Sequence, residues 1–323
     1  MKRAGASIVV LASLALGAWV ARSSTAPEPS ATRSAIEKSL PYLEREGFAW
    51  LEGRASIQHG QACVSCHHVA FAVWSHHEAE HAGIATPAER IADLERRALA
   101  LVAEPRQGQP VVAMQLLLGH GRGEPPADLL SRLVEKQQGD GSWRAGGQFP
   151  TQLRPEAESD AVATMWALLA QSSSGAPDSK TLVSRKRAVA WLARSPRGGT
   201  TEWLLLCMLV KRELGEADAA AAHARELLER QNADGGWGWS AGAASDALST
   251  GQSLYALGRM PASSMRSEGV ARAVAWLVKS QRSDGTWVVP SRLTSSEPTE
   301  GKDQVYSYWG TAWASIGLSR SLR

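Results

Sequence analysis

Along most of the chain apolar residues recur every three to four positions, the spacing of an amphipathic helix, and alternation of the kind that marks strands is almost absent. The periodic runs fall at residues 33–46 and 66–83, 87–103 and 110–119, 126–138 and 158–171, 180–194 and 200–214, 216–231 and 246–259, and 266–280 and 302–322. They form six pairs. In the later units a first helix is followed by an Asp-Gly turn with a tryptophan and then by a second apolar helix opening on a polar residue, as in Asp160-Ala-Val-Ala-Thr164 and Asp246-Ala-Leu-Ser-Thr250. The turn has a fixed spelling. Gln137 to Trp143, Gln231 to Trp237 and Gln281 to Trp287 all read Q-x-x-D-G-x-W. Arg187-Ala-Val-Ala-Trp191-Leu repeats Arg272-Ala-Val-Ala-Trp276-Leu, and after it Pro196-Arg-Gly-Gly stands where a further copy belongs, which sets a period of about 45–50 residues. An array of helix pairs with this period closes into a ring, first helices outside and second helices inside, so the predicted fold is all-α, a single α/α toroid over residues 33–323.

Q-x-x-D-G-x-W resembles the QW motif of squalene-hopene and oxidosqualene cyclases, and Tyr306-Ser-Tyr-Trp309-Gly-Thr-Ala-Trp313 is similar to their closing Y-G-T-W segment. The resemblance covers most of the chain after residue 126. It implies that the motifs are structural, each Gln capping a helix end and stacking on its Trp so that neighbouring pairs are tied together, and it implies an apolar, isoprenoid-class ligand. Trp166, Trp203, Tyr255, Trp309 and Trp313, on second helices, are the candidate cavity lining, with core packing as the equal alternative. Those cyclases protonate an alkene with a D-x-D-D acid, which is absent here; Glu156-Ala-Glu158-Ser-Asp160 occupies its place, making Glu158 and Asp160 the candidate acids and helix-dipole complements the competing reading. Protein prenyltransferase subunits and thioester domains share the toroid. The first need an Asp, Cys, His zinc set, whereas Cys207 lies in the apolar run Trp203-Leu-Leu-Leu-Cys207-Met-Leu-Val and reads as a small buried hydrophobe; the second need Cys-Gly-Glu-Gln, which does not occur.

Composition narrows the partners. The 323 residues are 44% hydrophobic with a net charge of +3, and no concentrated basic face suggests nucleic acid. Lys2 and Arg3 precede an uncharged, mostly apolar run to Ala21 and then a Pro/Ser/Thr/Ala-rich stretch to Thr32, the layout of an export signal or anchor (1–21) and a linker (22–32). The toroid is therefore expected outside the cytoplasm, periplasmic or held on the outer side of the membrane, touching it only through an uncleaved N-terminal segment.

Cys63-Val-Ser-Cys66-His67 is a C-x-x-C-H sequence, the attachment pattern of c-type haem: two thiols add to the vinyl groups and the adjacent imidazole binds iron. One covalent haem c, with a protein redox partner or a role as a haem-bearing binding module, is the functional expectation. A dithiol, a disulfide or a zinc clip on a non-catalytic scaffold is the alternative, and cyclase-like chemistry is another. With His67 proximal, His76 lies nine residues on, about 13.5 Å along a helix, too far to reach the other face of the same iron. His59, Met114 and His120 are the candidate distal ligands, alongside an open position. His77-Glu78-Ala-Glu80-His81 spells H-E-x-x-H and offers His77 and His81 as a second metal site, with Glu89 and Glu95 downstream; the charged Glu80 and the early Gly83 favour a solvated helix end.

Overall fold

A computed structural model of the chain describes residues 27–52, 68–103, 110–121, 127–146, 152–173, 177–261, 267–292 and 302–323. Among them run twelve helices: α1 (Pro29–Leu51), α2 (Val69–His81), α3 (Ala88–Val102), α4 (Pro110–Leu118), α5 (Ala127–Glu135), α6 (Glu156–Ser172), α7 (Ser179–Leu192), α8 (Thr201–Glu213), α9 (Ala217–Glu229), α10 (Ala247–Leu257), α11 (Glu268–Ser280) and α12 (Lys302–Ser321). All twelve expected helices are present. The described residues hold no strand, only isolated bridge positions such as Thr200 with Ser240.

The even-numbered helices pack on one another in order, α2 on α4, then α6, α8, α10 and α12, and α12 returns to α2. They form the inner ring. Every residue of α10 from Ala247 to Leu257 is buried, and so is α6 from Glu158 to Gln171, the mark of helices covered on all sides. Outer helices show one buried stripe, as in α11, where Val270, Ala273, Val274 and Leu277 face inward. The packing of α10 on α12 is close enough to exclude side chains: a Cβ on Gly251 would overlap the Trp313 carbonyl.

The signature sequences have identical geometry. The indoles of Trp143, Trp237 and Trp287 are buried, and each Nε1 donates to a carbonyl in the last turn of its own outer helix: Leu133 (2.9 Å), Leu227 (2.7 Å) and Leu277 (2.9 Å). These are carbonyls that a helix end leaves without an intrahelical donor. Each backbone N–H of the same Trp donates to a threonine hydroxyl on the following inner helix, Thr164, Thr250 or Thr311. The glutamine amides reach further. Gln137 Nε2 donates to Ser184 O in α7, Gln231 Nε2 to Gly269 O in α11, and Gln281 Nε2 to Ala35 O in α1, each also bonding the glycine carbonyl of its own turn. The helix-end carbonyl is thus satisfied by the Trp, and the Gln ties one pair to the next, as the resemblance implies. The third tie joins residue 281 to residue 35 and closes the ring.

The boundaries differ at a few ends. α1 starts at Pro29, inside the expected linker, because Pro is pre-organised for the first helical position. α6 starts at Glu156 after Pro155, so Asp160 lies a turn inside the helix and is no cap. Asp246 is one, its Oδ1 accepting from Ser249 N at 2.8 Å, the usual bond of an N-cap carboxylate. α5 ends at Glu135, ahead of the expected 138, where the chain turns into the signature loop.

In the degraded unit between α7 and α8 no Gln-Trp tie exists. Glu158, buried on α6, replaces it: its carboxylate accepts from Gly199 N (3.1 Å), Thr200 N (2.9 Å) and the Thr200 hydroxyl (2.6 Å), fixing the N-terminus of α8.

Gly285 tests the closure. Its φ is +85°, and a Cβ there would overlap the Lys38 carbonyl; Gly215 also has positive φ (+76°) but open space around it. Gly215→Ala is expected to cost about 1–2 kcal/mol, the left-handed backbone term alone. Gly285→Ala carries that term and the clash, and should lower the urea midpoint clearly more; equal losses in the two variants would show that the contact with α1 contributes nothing.

Candidate functional site

The inner helices enclose an apolar cavity. Phe71 and Trp74 of α2, Val111, Met114 and Leu118 of α4, Trp166 of α6, Leu248 of α10, and Trp309 and Trp313 of α12 supply its wall. The cavity is narrow, about 50 Å³, and opens to solvent at its mouth. Aromatic rings fill the middle of the ring of helices. Trp74 meets Trp166, Tyr255 and Trp313 edge-on at centroid distances of 6.3, 5.4 and 5.0 Å, and Trp166 stacks on Trp313 at 5.8 Å. Both arrangements are the ones the ring quadrupole favours.

Polar groups gather on the part of the wall made by the loops before α6, α8 and α10. Arg154, whose side chain is fully buried, pairs with Glu202 of α8 through Nη1 to Oε2 at 2.8 Å. Glu202 Oε1 accepts from Trp166 Nε1 (3.1 Å) and Gln252 Nε2 (3.2 Å). Arg292 pairs with Asp246 and donates to the Ser249 hydroxyl at 2.9 Å. Trp239 is held between the two guanidinium groups, 5.2 Å from Arg154 and 4.4 Å from Arg292, with its Nε1 donating to Leu153 O at 3.2 Å. Such a ring face attracts both cations. Glu202, Trp239, Gln252 and Arg292 all line the cavity, together with Gln115, Gln152 and Gly146. Two buried ion pairs therefore frame the polar end, and their charges cancel.

The expected site residues disperse. Trp166, Trp309, Trp313 and Met114 line the cavity. Tyr255 is buried behind Trp74 and Trp313, and Trp203 faces out of the ring under the guanidinium of Arg197 at 5.5 Å. Glu158 holds the loop before α8, and Asp160 accepts from Ala145 N (2.8 Å) and Arg144 Nη1 (2.5 Å); neither lines the cavity. His59, Cys63, Cys66 and His67 lie outside the described residues, as does the apolar run before Ala21; no described helix is long and apolar enough to cross a membrane. His68 begins the described segment, stacked on Trp50 at 4.4 Å, and its carbonyl accepts from the Tyr308 hydroxyl at 2.7 Å.

The H-E-x-x-H residues separate as well. Glu78 points toward α12, paired with Arg320 (2.7 Å) and Arg323 (2.6 Å), while His77 Nδ1 bonds Gly119 O (2.8 Å) and its ring stands 3.9 Å from Glu95, which also meets His120 Nδ1 at 3.1 Å. His120, a candidate iron ligand, thus shares a carboxylate with His77. Among the described residues no three His, Cys, Asp or Glu side chains are arranged to hold a metal ion, so His77 and His81 do not form one there. Cys207 packs with its Sγ 3.7 Å from Met165 Sδ, and burial pushes its thiol up to about 12.

Sequence reasoning missed Arg154, Glu202, Trp239 and Arg292. Trp239 sits two residues after a signature Trp, Glu202 follows the degraded signature, and Arg154 and Arg292 each precede an inner helix in loops with no repeat spelling; that shared placement was the available signal.

Residues 198–299 match the squalene-hopene cyclase C-terminal domain family. The chain is similar in structure to the type II terpene cyclase MstE from Scytonema, with 13% identity over 90% of this chain and 98% of that one and a TM-score of 0.54. A variant of that cyclase in complex with geranylgeranyl dihydroxybenzoate, its substrate, compares at 13% identity, the same coverages and a TM-score of 0.50. A protein from Actinoplanes compares at 15% identity over 88% of this chain and 100% of that one, TM-score 0.50. No curated protein matches the chain in sequence. The fold is accordingly a single α/α toroid of the terpenoid-cyclase type.

Two outcomes follow from the buried groups. Arg154→Met should destabilise the protein by about 3–5 kcal/mol in urea unfolding, because Glu202 is left buried without its partner, and adding Glu202→Leu should recover most of the loss. A single-variant loss below about 1 kcal/mol, the value of an exposed pair, would contradict the burial of this one. Cys207 in the native protein should resist alkylation at pH 8 and react readily in denaturant, since its thiolate fraction at that pH is only on the order of 10⁻⁴.

Proposed function

We propose that the toroid takes an apolar, isoprenoid-class ligand into its central cavity. The observation that carries this reading is the enclosed wall of Phe71, Trp74, Trp166, Trp309 and Trp313 ending in a small set of polar groups. That is the composition of a ligand site rather than of a solid core. The narrow, open-mouthed cavity suits a slender chain better than a preformed polycycle. The Scytonema cyclase, which binds geranylgeranyl dihydroxybenzoate, supports the ligand class.

Of the described acids Glu202 alone lines the cavity, so cyclase-like chemistry in this chain would run at Glu202 and not at Glu158 or Asp160. Arg154, Trp166 and Gln252 all donate to Glu202. That is the arrangement of an acceptor and not of an acid that must deliver a proton to an alkene. Binding is therefore the function favoured over turnover. The check is tryptophan fluorescence titrated with geranylgeraniol, followed by gas chromatography of the extracted lipid. Saturable quenching at micromolar ligand, weakened about tenfold or more in Trp166→Ala, with the lipid recovered unchanged, is the expected result. A cyclised product lost in Glu202→Gln would establish the enzyme reading instead, and no quenching would remove the ligand.

A second reading rests on Cys63-x-x-Cys66-His67 behind the export-type N-terminus: we propose that this segment carries covalent haem c outside the cytoplasm, with His67 as proximal ligand and a redox protein as partner. The thiols would hold the porphyrin and the imidazole its iron, and haem would supply one-electron chemistry. What supports it is the motif together with the export-type N-terminus that precedes it. Expression in a host with cytochrome c maturation should give a haem-staining band on a denaturing gel that disappears in Cys63→Ala/Cys66→Ala. A colourless, folded product would end this reading and leave the cavity untouched.

A further inference from the structure

The polar end of the cavity is selective in a way the wall is not. We infer that the bound ligand is a neutral alcohol, its hydroxyl donating to Gln252, rather than a diphosphate, a carboxylate or a bare hydrocarbon. This rests on the cavity being a ligand site, as proposed above.

The argument begins with an amide that has only one sensible orientation. Gln252, on α10, is 3% exposed and lines the cavity. One end of its amide stands 3.2 Å from Glu202 Oε1. That carboxylate, which also accepts from Arg154 and Trp166, takes only donors. The end facing Glu202 is therefore the NH2 and the other end is the carbonyl oxygen. That oxygen is buried and has no protein partner, and the same holds for Gln115 Oε1 on α4. Among the described wall residues, Trp74 Nε1 is the indole N–H in the same condition. Gln152 Oε1, on the same wall, is a third such acceptor. Three acceptors and one donor call for a group that donates and can also accept, which a hydroxyl does.

Charge excludes the other head groups. The cationic groups at this end, Arg154 and Arg292, are each already paired with a buried carboxylate, Glu202 and Asp246, so the site is neutral as it stands. A diphosphate or carboxylate would meet two carboxylates and the Gln252 oxygen, and the two guanidinium groups it could approach are already neutralised. A hydrocarbon or an ether fits the wall but leaves the Gln252 oxygen without a donor, an arrangement that a site built for a hydroxyl rejects.

The experiment is a set of titrations of the full chain, read by tryptophan fluorescence and confirmed calorimetrically, with geranylgeraniol, its methyl ether and geranylgeranyl diphosphate. The alcohol should bind about tenfold more tightly than the ether, the effect of one unmade hydrogen bond in a dry site, and the diphosphate should bind more weakly still. In Gln252→Leu the alcohol should lose its advantage over the ether; thermal unfolding of the variant checks that the cavity is intact, and Gln252→Met, which also removes the amide oxygen but keeps the side chain's length, provides the same comparison should Gln252→Leu fail to fold. Equal binding of alcohol and ether by the wild type, or tighter binding of the diphosphate, overturns the hydroxyl assignment and leaves the ligand site standing. No binding of any of the three overturns the ligand site and this inference with it.

Discussion

A ring of helix pairs is stable only when the last pair is held to the first, because an open end would expose the apolar face of an inner helix. In the outer ring that closure is one amide and one turn, Gln281 Nε2 on Ala35 O and the backbone of Gly285 pressed against the Lys38 carbonyl; in the inner ring α12 packs on α2, with Arg320 and Arg323 paired to Glu78. The same device joins α5 to α7 and α9 to α11 through Gln137 and Gln231. Each signature therefore satisfies the end of one helix with an indole, reaches the next outer helix with an amide and fixes the following inner helix through a threonine. The unit that lacks the signature has borrowed a carboxylate, Glu158, for the same purpose.

Closing the ring creates the interior that the function uses. Six inner helices cannot fill their own centre with aliphatic side chains alone, and here Trp74, Trp166, Tyr255 and Trp313 meet in edge-on and offset contacts that leave a narrow cavity beside them. The polar end is built from the opposite constraint. Arg154 and Arg292 are taken out of water, and buried guanidinium groups persist only when paired; Glu202 and Asp246 pair them, and Trp239 lies between. The balance leaves amide groups, not charges, as the features a ligand would meet.

The fold was largely legible because every inner helix carries an apolar run and every signature has the same spelling; the three Q-x-x-D-G-x-W sequences make the same set of bonds. Cap chemistry was legible at Asp246 and misleading at Asp160, where Pro155 starts the helix a turn earlier than its acidic run suggests. The site was legible only in part. Trp166, Trp309 and Trp313 followed from lying on inner helices, yet Trp203, on an inner helix too, faces outward, since helical position alone does not give the angle at which a helix meets the ring axis. Arg154 and Glu202, 48 positions apart, meet only because the ring brings the loops before α6 and α8 together. H-E-x-x-H read as a solvated helix end, with a metal pattern as the alternative, but in space Glu78 is buried and belongs to Arg320 and Arg323, a long-range pairing invisible to local spelling.

Under the proposed function a ligand occupies the cavity beside the central aromatic rings. Photo-crosslinking with a diazirine-bearing isoprenoid alcohol, followed by peptide mapping, addresses it directly. Labels on α2, α4, α6 and α12 at Phe71, Trp74, Met114, Trp166 or Trp313, competed away by unlabelled alcohol, are the predicted result. Labels confined to exposed apolar side chains such as Leu182, Val183 or Val288, and unaffected by competitor, would contradict it.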